Sequence, residues 1–395
     1  MFTFFYMRPY YTKKPIGTLT ALSGALQVGL PALEHTGSNL QNHYTPYQIP
    51  KANGSMRSIV IPSLHLKTIQ KRINREIFSH VAYPDYLYGG VPGKDYVRNA
   101  ERHKSAQVII ALDVKDFYPS ISTLRVSNIF QHLFKFSPEV SELLANLTTY
   151  QNKVPQGACT SSHLANLVLH DVESSVVKYC ENMGLIYTRL LDDVTISSMK
   201  TISQAKVEKI INMVSRMLKG KGLRLRNSKT RVTSKSNPEE LMEVTGLWLN
   251  RGTPRAKSQA RRAIRIEVYK CKEASNVSRT DSEYHDAFAS ASGKVAMLSY
   301  LEHAESGRLR KSLSAILPIY DEREITKTKK IVKMLSRTSE TDRRKYAYNV
   351  NYFKTMQRIN IIARTDALLA KSLRKRLSLC RPQLKSDAAL YDEPI

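Results

Sequence analysis

Three aspartates are placed as though to hold metal. Asp192 and Asp193 are adjacent in Leu185-Ile186-Tyr187-Thr188-Arg189-Leu190-Leu191-Asp192-Asp193-Val194-Thr195-Ile196-Ser197, between β-prone stretches that read as the arms of a hairpin. Asp113 ends the apolar run Val108-Ile109-Ile110-Ala111-Leu112, which reads as a buried strand delivering its carboxylate to a shared site. Like charges at a tight turn call for a cation. Two divalent ions, about 3.5–4 Å apart, are what nucleotidyl transfer uses to activate a hydroxyl and support the leaving oxygen. Asp113 and Asp192 are the expected bridging ligands, with Asp193 assisting. Oxygen donors of this kind select Mg2+, or Mn2+, over zinc. An isolated Asp-Asp pair is more often a solvated turn, so its surroundings decide.

The elements that must carry these groups are legible. Asn53-Gly54 between the alternating arms Tyr47–Pro50 and Met56–Pro62 predicts a hairpin, with Lys51 and Arg57 beside its turn. Leu66, Ile69, Ile73 and Ile77 fall on one helical face, and 124–136 and 202–218 also read as helices. Residues 223–232 and 243–249 read as short strands, and from Ser258 onward the chain reads as helical. The order of elements is α+β, without a fixed repeat.

With 61 Lys plus Arg against 34 Asp plus Glu, the formal charge of +27 favours a polyanionic partner, nucleic acid before a membrane surface. Four dispersed cysteines, without zinc-ligand spacing, suit a reducing cytoplasm. The apolar start Met1–Met7 is cut short by Arg8, too early for a spanning helix or a signal peptide, so a cytoplasmic protein without a membrane partner is expected.

In this arrangement the chain resembles the reverse transcriptases, and within them the bacterial retron group. Leu112-Asp113-Val114-Lys115-Asp116-Phe117-Tyr118 is similar to the first palm motif of the family. Val154-Pro155-Gln156-Gly157-Ala158-Cys159-Thr160-Ser161-Ser162 is similar to its P-Q-G-x-x-x-S loop, and Leu190-Leu191-Asp192-Asp193 stands in the place of Tyr-x-Asp-Asp. Asn99-Ala100-Glu101-Arg102-His103 and Val244-Thr245-Gly246 match the N-A-x-x-H and V-T-G signatures of retron enzymes. The resemblance runs from about Tyr47 to about Pro318. Leu190 departs from the family's Tyr, which puts the hold on the primer end in question and leaves the metal ligands in place.

The resemblance implies a right-hand polymerase fold: an N-terminal extension (1–45), fingers and palm (46–252), a helical thumb (253–320) and a basic helical C-terminal extension (321–395). Lys51 and Arg57 would neutralise the incoming triphosphate, or be no more than a solvated basic turn. Tyr118 would exclude a 2′-hydroxyl as the steric gate. Gln156 and Gly157 would lie against the template–nascent base pair. Lys229 would stand near the departing pyrophosphate as a general acid. Asn99, His103, Trp248 and the thumb arginines Arg261, Arg262 and Arg265 would contact RNA or primer.

The function implied is RNA-directed DNA synthesis from dNTPs, with two Mg2+, on a cognate noncoding RNA (msr-msd). That RNA primes from a guanosine 2′-hydroxyl to give branched msDNA. An effector protein from the same operon, host RNase H and a role in antiphage defence are further implications. Two alternatives stay open: a defence-associated or intron-like reverse transcriptase without a branched product, and an RNA-binding scaffold whose polymerase site is vestigial.

Overall fold

Alternation of side chains decides the central sheet, because successive residues of a strand face opposite sides. The computed structural model describes residues 7–50, 54, 56–237, 239–386 and 388–389. Lys51 therefore lies outside the described residues. The strands are β1 (Tyr10–Tyr11), β2 (Tyr44–Pro50), β3 (Met56–Pro62), β4 (Val81–Ala82), β5 (Val108–Asp113), β6 (Leu185–Leu190), β7 (Asp193–Ser198), β8 (Arg231–Ser234), β9 (Glu243–Val244) and β10 (Leu247–Trp248). Four of them form one antiparallel sheet in the order β6-β7-β5-β8.

In that sheet Leu112 faces Val194 and Ile110 faces Ile196, which in turn faces Tyr187. These residues belong to one buried core with Val176 and Val177 of α8 (Glu173–Asn182) and Val207, Ile210 and Val214 of α9 (Gln204–Gly220). The other parity carries Asp113 opposite Asp193, Ala111 opposite Thr195, and Thr195 opposite Thr188. One face is thus apolar and helix-covered, and the other is polar and bears the carboxylates.

Around the sheet stand α1 (Leu19–Leu26), α2 (Leu30–Ser38), α3 (Leu64–Glu76), α4 (Tyr96–Arg102), α5 (Thr123–His132), α6 (Pro138–Thr148) and α7 (Ser161–Leu167). The expected N-terminal extension is built into this body rather than appended to it. Leu22, Leu26, Val28 and Leu33 join the same core, and the buried Arg72 of α3 donates to the carbonyls of Leu26 and Gln27. The hairpin β2–β3 pairs from Tyr44↔Pro62 to Pro50↔Met56.

Residues 223–232 depart from the strand expected there. Leu225 makes an isolated antiparallel bridge to Val114, a 3-10 turn then covers Asn227–Lys229, and the strand itself is only Arg231–Ser234. The stretch 243–249 likewise folds back on itself, as β9 and β10 joined through Thr245 and Gly246.

The chain divides into two units, the first ending at Pro254. From Arg255 it is helical: α10 (Ser258–Val277), α11 (Ser282–Tyr300), α12 (Ser306–Ser314), α13 (Glu322–Ser336), α14 (Tyr346–Ile362) and α15 (Ala367–Ser378). This second unit holds two cores, one from Ala256 to Leu313 and one from Val332 to Cys380. Arg364 donates to the carbonyl of Pro318, and Arg358 lies over the Tyr320 ring, 4.8 Å from its centroid. The four cysteines are free, and among the described residues no helix is long and apolar enough to cross a membrane.

Candidate active site

The register of the sheet brings the three aspartates together. Asp113 at the end of β5 is paired with Asp193 at the start of β7. Asp192 occupies the turn, entered through Leu191 in the left-handed region (φ 57°), and its carbonyl accepts from the Val114 amide at 3.0 Å. Burial raises the pKa of Asp192, and the carboxylate of Asp113 adds to the rise while Lys229 and Arg57 oppose it. Burial, with Asp192 and Asp113 beside it, pushes Asp193 up to about 6.

The carboxylate of Asp113 is already engaged. Lys229 Nζ donates to its Oδ1 at 2.7 Å, and Arg226 Nε lies 3.4 Å from Oδ2. The 3-10 turn explains this, since it lifts Lys229 off the strand path and over β5. Among the described residues no three His, Cys, Asp or Glu side chains stand close enough to hold an ion as they are. The donors have the oxygen chemistry that suits Mg2+, and burial, with the neighbouring carboxylates, disfavours ionisation of Asp192 and Asp193, a cost that a cation would offset.

A cavity of about 660 Å³ opens beside the turn, lined by Arg57, Asp113, Tyr118, Gln156, Gly157, Asp192, Arg226 and Lys229 among others. Tyr118 is half-buried, its pKa raised to about 12 by burial and by Asp192. The Val60 amide donates to the Gln156 carbonyl at 2.9 Å, so β3 is tied to the loop across the cavity. Gly157 has φ +120°, and a Cβ there would stand 2.5 Å from the Val60 carbonyl oxygen. The close approach that requires a glycine here is therefore to protein backbone.

A second cavity, about 390 Å³, lies on the polar face of the sheet. Asp113, Asp193, Thr195, Arg231 and Thr233 line it, with Leu190, Tyr96, Glu243 and Thr245 around them. Leu190 thus offers this cavity an aliphatic wall. Thr245 and Gly246 form the two-residue loop of β9–β10 with φ of 47° and 85°. Positive φ at both central positions marks a type I′ turn, which favours Asn and Gly, and a β-branched residue there costs about 1–3 kcal/mol. The Thr245 hydroxyl donates to the Tyr96 carbonyl at 2.9 Å.

Asn99 and His103 are wholly buried, which corrects the expectation that they touch RNA or primer. His103 caps α4, and its ring nitrogens lie 2.7 Å from Ser197 Oγ and 2.7 Å from Thr188 Oγ1. Burial lowers its pKa to about 3, so the ring is neutral and bridges β6 to β7. The Asn99 side-chain amide has no hydrogen-bond partner among the described residues. Trp248 is half-buried in β10, with Arg251 5.6 Å from its ring centroid.

On the core side, the turn is held by Arg189 and Glu173, with side chains 0% and 1% exposed. Arg189 Nε and Nη2 donate to the two Glu173 oxygens at 2.5 and 2.8 Å, and Tyr187 Oη donates to the same carboxylate at 2.8 Å. The remaining guanidinium donors reach the carbonyls of Ala165, Leu191 and Asn166. Gly89 packs against the turn, where a Cβ would come within 2.4 Å of Leu191 Cγ. Arg226, Arg189 and Glu173 went unnoticed in the sequence. The one signal was the alternation of Arg224 and Arg226 ahead of Lys229.

In the second unit, Arg265 pairs with Glu305 at 3.0 Å, Arg261 Nη1 lies 3.2 Å from His303 Nε2, and Arg262 is exposed.

An antiparallel sheet with carboxylates paired at one end, flanked by a cavity large enough for a nucleotide, defines a palm-type nucleotidyltransferase. The family model for reverse transcriptase (RNA-dependent DNA polymerase) matches residues 49–263. The chain is 37% identical over 386 residues to the Retron Se72 reverse transcriptase of Salmonella heidelberg, covering 95% of this chain and 99% of that one. It is 31% identical over 395 residues to the Retron Ec48 reverse transcriptase of Escherichia coli, covering 95% of each. Among solved structures, apo telomerase from Candida Tropicalis superposes with a TM-score of 0.42 at 11% identity, covering 85% of this chain and 64% of that one. The chain belongs to the reverse transcriptases, in the retron group, and is an RNA-directed DNA polymerase.

Proposed function

We propose that this polymerase copies a structured RNA that is also its primer, extending from a guanosine 2′-hydroxyl to give branched msDNA, and that it works with an effector against phage. The observation that carries this reading is similarity to the Retron Se72 enzyme over 95% of the chain, including the second unit. The test is to purify the protein from its operon and treat the DNA that accompanies it with debranching enzyme. A 2′-linked product is cut at the branch. Uncut DNA overturns the branched-product reading in favour of an intron-like enzyme, and absence of DNA favours a scaffold.

Reverse transcriptases use divalent metal ions. Here Asp113, Asp192 and Asp193 would hold two Mg2+ (Mn2+ being an alternative), which when bound activate the attacking hydroxyl and stabilise the leaving pyrophosphate. The protein's own groups do the rest. Arg57 and Arg226 face the cavity and neutralise the triphosphate. Tyr118 lies under the sugar and excludes a 2′-hydroxyl by size. Lys229 shifts its proton-bearing Nζ from Asp113 towards the leaving oxygen.

This ligand set has a pH signature. A carboxyl raised to about 6 when folded, against 3.8 as its ordinary value, contributes stability fully below the lower value and loses it as pH rises through about 6. Without metal, ionised Asp193 therefore destabilises the fold near neutrality. Mg2+ should raise the melting temperature by several degrees at pH about 7.5 and by little at pH about 5. Melting curves in EDTA and in Mg2+ at both values check this, and equal shifts would contradict the ligand set.

A further inference from the structure

A third cavity, about 460 Å³, opens among the helices that pack against the apolar face of the central sheet. Ile129 of α5 and Val168, just past α7, back it from the main core, and Pro9 and Tyr10 line it from the N-terminal segment. None of its lining residues lines either cavity beside the three aspartates. It is a separate place on the first unit.

Its charges do not balance. Arg8, Arg125 and Lys221 line it together with the single carboxylate of Asp171. Lys221 Nζ and Asp171 Oδ2, 2.5 Å apart, neutralise each other. Arg8 Nε donates to Ser174 Oγ at 2.8 Å, so a hydroxyl and not an acid holds that guanidinium. The half-buried Arg125 guanidinium has no hydrogen-bond or ion-pair partner among the described residues. Gly222, with φ +65°, gives it room, since a Cβ there would stand 2.6 Å from Arg125 Nη2. Two guanidiniums are therefore held at an apolar-backed cavity without a counter-charge.

A cation drawn partly out of water and left unpaired carries a cost that a bound anion offsets. The guanidinium fork matches the oxygens of a phosphate, and the wall of Ile129, Val168 and Pro9 suits the sugar or base attached to one. We propose that this cavity is a phosphate-binding site separate from the polymerase centre, with Arg125 and Arg8 as the donors to the anion and the Lys221–Asp171 pair as its fixed wall. The phosphate belongs either to the backbone of a nucleic-acid strand led over the helix-covered face or to a free nucleotide.

His132 lines the cavity and is exposed, so its ring reports occupancy. Its carbethoxylation by diethyl pyrocarbonate, read by mass spectrometry of the peptide, is followed in the full-length protein alone, with ADP, and with a short single-stranded RNA, all in EDTA. His35, exposed and outside the lining, is the control. In wild type, ADP or the RNA should slow modification of His132 about fivefold at a concentration several times its Kd and leave His35 unchanged. The ligand that protects identifies the source of the phosphate. Arg125→Gln should lose the protection and Arg125→Lys should keep most of it, while both melt with wild type and extend a short preformed primer at the wild-type rate. Arg8→Gln, which leaves the packing of α5 untouched, should weaken protection as well. Failure of both ligands to protect His132, or equal protection in Arg125→Gln, would overturn the proposal. Loss of primer extension in Arg125→Gln would overturn the separation from the polymerase centre.

Discussion

Asp192→Asn should lower dNTP incorporation on a primed RNA template by about 10³-fold or more while leaving the protein folded. The backbone of Asp192 ties the turn to Val114 through its carbonyl, which the substitution keeps. Its carboxylate accepts a backbone hydrogen bond that the side-chain oxygen of Asn can also accept, so the amide removes chiefly charge and metal affinity. A lost metal ligand is worth several kcal/mol of transition-state stabilisation, and about 4 kcal/mol is a thousandfold in rate. The metal-free variant should also melt no lower than wild type, because Asp193 loses a like-charged neighbour. Incorporation within tenfold of wild type would show that Asp192 holds no essential ion and would revive the search for a different centre.

Arg189→Leu should destabilise the first unit by about 3–5 kcal/mol, the cost of leaving one partner of a buried ion pair unpaired. Glu173 would keep a charge at 1% exposure, and the carbonyls of Ala165, Asn166 and Leu191 would lose their donors. Paired replacement, Arg189→Leu with Glu173→Leu, should recover a large part of that loss, because an apolar pair of similar volume strands no charge. Urea unfolding followed through the transition of the first unit measures both. A single-variant cost below about 1 kcal/mol would mean that the pair is dispensable to the turn.

The strand ending at Asp113 and the Asp192-Asp193 turn were legible because each is encoded locally. A continuous apolar run ended by a charge and a polar turn between β-prone arms do not depend on distant contacts. The helices over 64–76, 123–132 and 204–220 were legible for the same reason, their apolar stripes being intrinsic to the segment. What escaped is long-range. Nothing near Arg189 announces that its carboxylate partner is 16 residues earlier in another element. His103 was legible as a motif member but not as a buried bridge, because spacing identifies a signature without saying which way the side chain points. The strand expected over 223–232 failed where Lys229 is drawn to Asp113, a tertiary attraction that local propensity does not contain.

The two parities of the central sheet have a practical consequence for anyone handling the protein. A slip of β7 by one residue would turn Asp193 into the core and Val194 and Ile196 out of it, so a misregistered molecule is both unstable and inactive. Well-folded but dead molecules of that kind should not accumulate in a preparation. Specific activity then serves as a quality assay, reporting the fraction of chains whose first unit has reached its native pairing.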